Sequence, residues 1–143
     1  MNSGFVTATD QNDNWLTPEW LFKALDCEFA FDFDAAADET NARCSLFTSS
    51  IEETAPLSTM RVFCNPPYSN ILPFVVRAMK HGSIWVFILP VRTRSEWFEM
   101  LNQSDRVEFR WLRRRIAFEP PPGVEPSSPR MDTFIAIVRG PSR

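Results

Sequence analysis

The chain has 143 residues, 44% of them hydrophobic and 13 of them Phe, enough for one domain with a sizeable core and hardly enough for two. No apolar run reaches the roughly 18 residues of a membrane helix, and Met1-Asn2-Ser3-Gly4 lacks the charged-then-apolar pattern of a signal peptide, so a soluble, cytoplasmic protein is expected. The net charge of −3 hides an asymmetry: residues 1–55 hold 11 acidic and 2 basic side chains, residues 56–143 hold 7 and 13. Such a division suits either two partners of opposite charge or merely solvated faces.

Cys27, Cys44 and Cys64 are odd in number and widely spaced, and His81 is the single histidine. This spacing predicts reduced, half-buried thiols and no metal site.

Residues 1–12 read as a flexible arm ahead of a single domain. Thr17-Pro18 is a helix start, Thr at the N-cap and Pro in the first turn. The helix runs from Glu19 to about Asp26 with Trp20, Leu21, Ala24 and Leu25 on one side. Alternating Phe in Glu28-Phe29-Ala30-Phe31-Asp32-Phe33-Asp34 predicts a strand ending at Asp34. Residues 38–58 are polar, with a short helix expected near 38–43. Met60–Cys64 is a second strand, stopped by Pro66-Pro67. A helix capped by Ser69 or Asn70 follows to Lys80, with Gly82 as its left-handed C′ residue.

Ser83–Leu89 is a continuous apolar run, as for a strand covered on both faces. Thr93-Arg94-Ser95-Glu96 has capping-box spacing and opens a helix to about Gln103. Arg106–Leu112 and Thr133–Val138 are the last strands, separated by a proline-rich loop over 119–132. The fold class is therefore α/β: a sheet with a parallel centre, an antiparallel C-terminal strand pair and flanking helices. Ligands of such sheets bind beyond the strands' C-terminal ends, where Asp34, Asn65 and Pro90-Val91-Arg92 converge.

Asn65-Pro66-Pro67-Tyr68 is the segment whose chemistry is most specific. An exocyclic amino group is a poor nucleophile because its lone pair is delocalised into the ring. Two acceptors aimed at its N–H bonds draw the nitrogen toward tetrahedral geometry and stabilise the charge that develops. The Asn65 side-chain oxygen and the Pro66 carbonyl are two such acceptors. Consecutive prolines fix φ without adding competing N–H groups, and the residue before them is held extended. Tyr68 offers a ring for stacking a planar base extruded from a duplex.

This tetrapeptide matches the motif of amino-methyltransferases, in its adenine-type Asn form. The chain resembles the phage DNA N6-adenine methyltransferase family through 13–18 (Asp-Asn-Trp-Leu-Thr-Pro), 31–37 (Phe-Asp-Phe-Asp-Ala-Ala-Ala), 64–69 (Cys-Asn-Pro-Pro-Tyr-Ser), 89–93 (Leu-Pro-Val-Arg-Thr) with Trp97-Phe98, and 115–118 (Arg-Ile-Ala-Phe). The resemblance implies a reduced methyltransferase-like sheet, S-adenosylmethionine as cofactor, DNA as substrate, and Asn65, Pro66, Pro67 and Tyr68 as catalytic residues. It also implies that Trp15, Thr17, Pro18, Asp34 and Ala35 hold the cofactor. A phage or prophage origin in a bacterial cell, with a part in restriction-modification or genome protection, is the context it implies. The chain departs from the usual pattern after Asp34, where Ala35-Ala36-Ala37 replaces a Gly-rich loop.

Arg92, Arg94 and the run Arg113-Arg114-Arg115 are the expected DNA phosphate contacts, since a guanidinium binds phosphate bidentately. Trp97 is read as core, and His81 as a partner of a helix dipole without a catalytic role. Two other readings stay open: a weak or inactive relative that binds DNA or protein on the same scaffold, and transfer to an amino group in RNA or protein. A monomer and a homodimer are both compatible with the sequence.

Overall fold

The computed structural model describes residues 16–119 and 130–141. Among these residues three helices, α1 (Glu19–Phe29), α2 (Leu72–Lys80) and α3 (Glu96–Asn102), accompany eight strands. The strands are β1 (Phe33–Asp34), β2 (Leu46–Phe47), β3 (Arg61–Cys64), β4 (Ile84–Pro90), β5 (Val107–Trp111), β6 (Ile116–Ala117), β7 (Arg130–Met131) and β8 (Thr133–Arg139). Six of them form one mixed sheet in the order β2-β1-β3-β4-β8-β5. β2, β1, β3 and β4 are parallel, and β8 runs antiparallel between β4 and β5. The expected parallel centre and antiparallel pair of β5 and β8 are both present.

β4 is the middle of this sheet and is buried from Trp85 to Pro90, as its uninterrupted apolar run requires. α1 covers one face, where Phe22 meets Phe63 edge-on at 5.0 Å and Phe31 at 5.8 Å. The other face carries α3, whose Phe98 packs on Phe109 and Phe134, with Trp97 stacked 6.4 Å from Phe134. Trp97 is thus core, as its sequence context indicated. Burial of these aromatic rings supplies much of the hydrophobic driving force.

The structure corrects several sequence expectations. α1 extends to Phe29, three residues past the expected end, so the alternating Phe segment is a strand only at Phe33–Asp34. Alternation is ambiguous here because Phe29 is buried from the helix, while Phe31 packs on Phe63 from the connecting loop. Leu21, Phe22, Leu25 and Phe29 form the buried side of α1, and Trp20 and Ala24 are exposed. Pro18, not Thr17, occupies the N-cap position. Residues 38–43 form a turn closed on Asp38 rather than a helix.

β2 is a strand the sequence concealed, because it is two residues long and exposed. α2 begins at Leu72 with no side-chain cap, so neither Ser69 nor Asn70 caps it. Gly82 does stand at C′, after the His81 C-cap, but it is not left-handed; a Cβ there would lie 3.0 Å from the Ser58 carbonyl, so close approach is what favours glycine. Ser95, not Thr93, caps α3, accepting from the Phe98 N–H at 3.3 Å. The stretch 119–132 is not wholly loop, since β7 pairs antiparallel with β6.

β1, β2, β3 and β4 end together at Asp34, Phe47, Cys64 and Pro90. β5, antiparallel to β8, ends at Trp111 on the same side, level with Leu89 through their shared partner Phe134. This rim is where the sequence placed its site residues.

Candidate active site

Asn65-Pro66-Pro67-Tyr68 leaves the sheet at the end of β3. Prolines cannot donate to a strand ladder, so pairing stops there, and a turn closes from the Asn70 N–H to the Pro67 carbonyl at 3.0 Å. Asn65 donates from Nδ2 to Thr17 Oγ1 at 2.8 Å. Thr17 is 4% exposed, so this bond lies mostly out of water. Among the described residues Asn65 Oδ1 has no hydrogen-bond partner, and the amide presents its acceptor end away from Thr17.

Thr17 is itself anchored. Leu16 and Glu119 exchange two backbone hydrogen bonds, at 2.7 and 2.9 Å. The Arg43 guanidinium donates to the Thr17 carbonyl and lies 3.7 Å from the Glu119 carboxylate. Segments 16–18, 65–68 and 118–119 are therefore stitched together beside the rim.

Tyr68 is 3% exposed and donates from its hydroxyl to the Ile88 carbonyl at 3.2 Å. Burial pushes its phenol well above the ordinary value, so it remains a protonated donor. Its ring meets Phe118 edge-on at 6.1 Å. Arg92, just beyond β4, donates from Nη1 to the Tyr68 carbonyl at 2.6 Å and places its guanidinium 5.8 Å from the ring centroid.

Asp34 ends β1 and is 2% exposed. Its Oδ1 accepts from the Ala36 N–H at 3.3 Å and its Oδ2 from the Arg43 N–H at 3.0 Å. Burial raises its carboxyl above the usual range, against the opposing effect of these two bonds and the Arg43 charge. Ala35 and Ala37 donate to the Phe63 and Thr48 carbonyls. The loop that lacks glycine is thus folded around the Asp34 carboxylate.

Comparison with known proteins adds to this geometry. Residues 5–138 match the family described as DNA N-6-adenine-methyltransferase (Dam). The chain belongs to this family. It is 35% identical to the DNA N-6-adenine-methyltransferase of Haemophilus phage HP1 over 120 residues, 78% of this chain and 69% of that protein. It is 33% identical to the DNA N-6-adenine-methyltransferase of Escherichia phage T1 over 118 residues, 76% of this chain and 48% of that protein.

Among the residues singled out by sequence in this Dam-family chain, Thr17 is bonded to Asn65 and Arg92 to Tyr68, so the two pairs hold the two ends of the 65–68 loop. Pro18 and Pro66 are buried beside them in sequence, and Pro67 is half-buried. Asp34 and Ala35 lie inside the β1 loop, their polar groups committed to backbone partners. Arg94 is exposed ahead of α3, and Arg113, Arg114 and Arg115 are exposed between β5 and β6. Trp15 falls outside the described residues.

Sequence reasoning gave no site role to Arg43 or Phe118. Arg43 is one of two basic residues in the acidic first 55, a signal that was available. Phe118 closes the stretch 115–118 that carries part of the family resemblance, which was its signal. His81, read as a helix-dipole partner, is buried with Nε2 2.9 Å from the Met60 carbonyl. No group of three or more His, Cys, Asp or Glu among the described residues is arranged to hold a metal, and no described helix is long and apolar enough to cross a membrane.

Proposed function

We propose that the chain methylates the N6 amino group of adenine in DNA, with S-adenosylmethionine as methyl donor, the base extruded from the duplex, and a reduced methyltransferase-like sheet as scaffold. The observation that carries this reading is the Asn65–Thr17 hydrogen bond. It fixes the amide so that Oδ1 is the end offered to an incoming N–H donor. The Pro66 carbonyl, next in the chain, is the second acceptor. Together they draw electron density to the adenine nitrogen as it attacks. Arg92 holds the Tyr68 carbonyl and so keeps the loop's far end in place. Tyr68, expected from sequence to stack a base, is instead buried with Phe118, and the two rings support the loop from within.

The residues present suit the donor. Arg43 and Glu119, 3.7 Å apart beside Thr17, match the carboxylate and ammonium of an amino-acid end. Thr17 and Pro18 stand beside that pair, with Trp15 just before them in sequence, while Asp34 and Ala35, both buried, act by shaping the β1 loop. When bound, the cofactor supplies an electrophilic methyl on sulfur, so transfer needs no covalent enzyme intermediate. Holding the two reactants in line accounts for much of the rate. Arg92, Arg94, Arg113, Arg114 and Arg115 supply phosphate contacts. The phage origin of both similar proteins supports the cytoplasm of a phage-carrying bacterium as its compartment.

The test is transfer of a labelled methyl group from S-adenosylmethionine to unmethylated DNA by the full chain and by Asn65→Ala. The variant is expected to lose at least about 100-fold in kcat, as for removal of a transition-state hydrogen-bonding group. Intact transfer by Asn65→Ala overturns the mechanism. No transfer by the unsubstituted chain, with no thermal shift on adding S-adenosylhomocysteine, overturns the enzyme reading in favour of a binding relative.

A further inference from the structure

A cavity of about 560 Å³ opens at the same rim between the first turn of α1 and the β5–β6 turn. Trp20, Trp111, Arg113, Arg114 and Arg115 line it, and among the described residues no Asp or Glu does. Its size falls within the roughly 300–1,000 Å³ of small-ligand sites. Trp20 is 64% exposed and Trp111 55%, unusual for a side chain with so much apolar surface to bury.

The two indoles are held differently. Trp111 packs 4.9 Å from Phe134 and is stacked 5.8 Å from Phe109, so it is braced while more than half open. Trp20 makes no aromatic contact among the described residues, and it sits three positions after Thr17, the partner of Asn65. Arg115 is engaged with Asp132 at 3.0 Å. Arg113 and Arg114 have no ion-pair partner among the described residues.

We propose that this groove binds one unstacked nucleotide of the DNA strand beside the target adenine, its base on an indole and its phosphate on Arg113 or Arg114. The proposal rests on the reading of the chain as a DNA methyltransferase. The cavity's charge matches a polyanion, and indole faces stack with any base that has left its own stack. Paired bases inside a duplex do not present such faces, so the groove selects DNA that is single-stranded or locally opened next to the target.

The experiment is fluorescence anisotropy of a labelled oligonucleotide with the full chain, without cofactor, over a range of salt concentrations. Trp20→Ala is expected to weaken binding roughly tenfold, within the range of one base–aromatic stack. Trp20→Phe is expected to restore most of it. The double variant Arg113→Gln/Arg114→Gln is expected to flatten the slope of log affinity against log salt by about 0.7, one phosphate contact on a single strand. The unsubstituted chain is expected to bind an oligonucleotide with an unpaired stretch more tightly than the matched duplex.

Unchanged affinity in Trp20→Ala and in the double arginine variant, with Tm unaltered, overturns the proposal. So does a change in sedimentation of Trp20→Ala without a change in DNA affinity, which assigns the groove to a second copy of the chain. Failure of methyl transfer by the unsubstituted chain is a separate result, because the binding assay reads the groove without the reaction.

Discussion

Thr17 and Asn65 are 48 residues apart in sequence, and a 2.8 Å hydrogen bond from Asn65 Nδ2 to Thr17 Oγ1 joins them at the rim of the sheet. The bond orients the amide, because an Asn side chain can rotate its oxygen and nitrogen through the same position. Its Thr17 end is fixed in turn by the Leu16–Glu119 bridge and by Arg43. The residue that sequence alone reads as a helix cap is therefore a support for the loop that follows β3.

This relationship predicts a graded loss. Thr17→Val keeps the shape and removes the acceptor, so the Asn65 N–H loses its partner. A hydrogen bond of this kind contributes about 1 kcal/mol net, and more when a buried partner is stranded. We expect kcat for methyl transfer to fall about 10-fold or more in Thr17→Val and to stay near the parent value in Thr17→Ser. Equal activity in Thr17→Val and the parent would remove the bond from the mechanism.

Ala30 follows α1 with φ 52° and ψ 70°, and among the described residues it is the one non-glycine residue with positive φ. Its N–H closes the helix on the Asp26 carbonyl, so the conformation is part of the cap. An L-residue there bears about 1–2 kcal/mol of steric cost that glycine avoids. Ala30→Gly is expected to raise stability by about 1 kcal/mol, less the extra entropy of glycine in the unfolded chain. Thermal unfolding checks this, with a Tm rise of about 3 °C expected at this chain length. A fall in Tm would show that the left-handed residue is not strained.

The three cysteines are expected to react in a fixed order. Cys27 is exposed on α1, Cys44 is half-buried and Cys64 is fully buried in β3. Burial, with the nearby Asp34 charge, pushes the Cys44 thiol up to about 12, and burial raises Cys64 well above the ordinary value. The thiolate is the reactive form. A thiol reagent at pH 8 should therefore label one site quickly in the folded chain and all three only in denaturant. Rapid labelling of Cys27→Ser would contradict this order.

What was legible in the sequence, and what was not, follows from the length scale of each signal. β4 and β8 are long, apolar and fully covered, so composition alone marks them. The loop after β3 is marked by its two prolines. β2 and β1 are two residues each, and their pairing is set by neighbours rather than by propensity. Helix starts went astray at Thr17 and Thr93 for one reason: a capping residue type has other uses, which only tertiary contacts decide. The convergence of Asp34, Asn65 and Arg92 on one rim was readable because parallel strands share a polarity. The inward turn of the Asp34 carboxylate was not, since it depends on backbone N–H groups of the loop that follows.

Asp34 supplies a pH-dependent prediction in which two opposed effects compete. Burial disfavours its charged form, while the Ala36 and Arg43 N–H groups favour it, and burial is the larger. The carboxyl therefore titrates above its ordinary value of 3.8 when folded. Between those two values the folded chain binds more protons than the unfolded chain, so this group's contribution to stability falls as pH rises through that window. Asp34→Asn, a near-isostere of the protonated acid, lacks the effect. The stability of the parent relative to Asp34→Asn, from urea unfolding, should decline from about pH 4 upward and level off once Asp34 is ionised in the fold. A relative stability that instead climbs with pH would mean that the two N–H bonds outweigh burial. The carboxylate would then be a site of favourable charge rather than a tolerated one, and better suited to hold a cationic ligand group than to shape the loop.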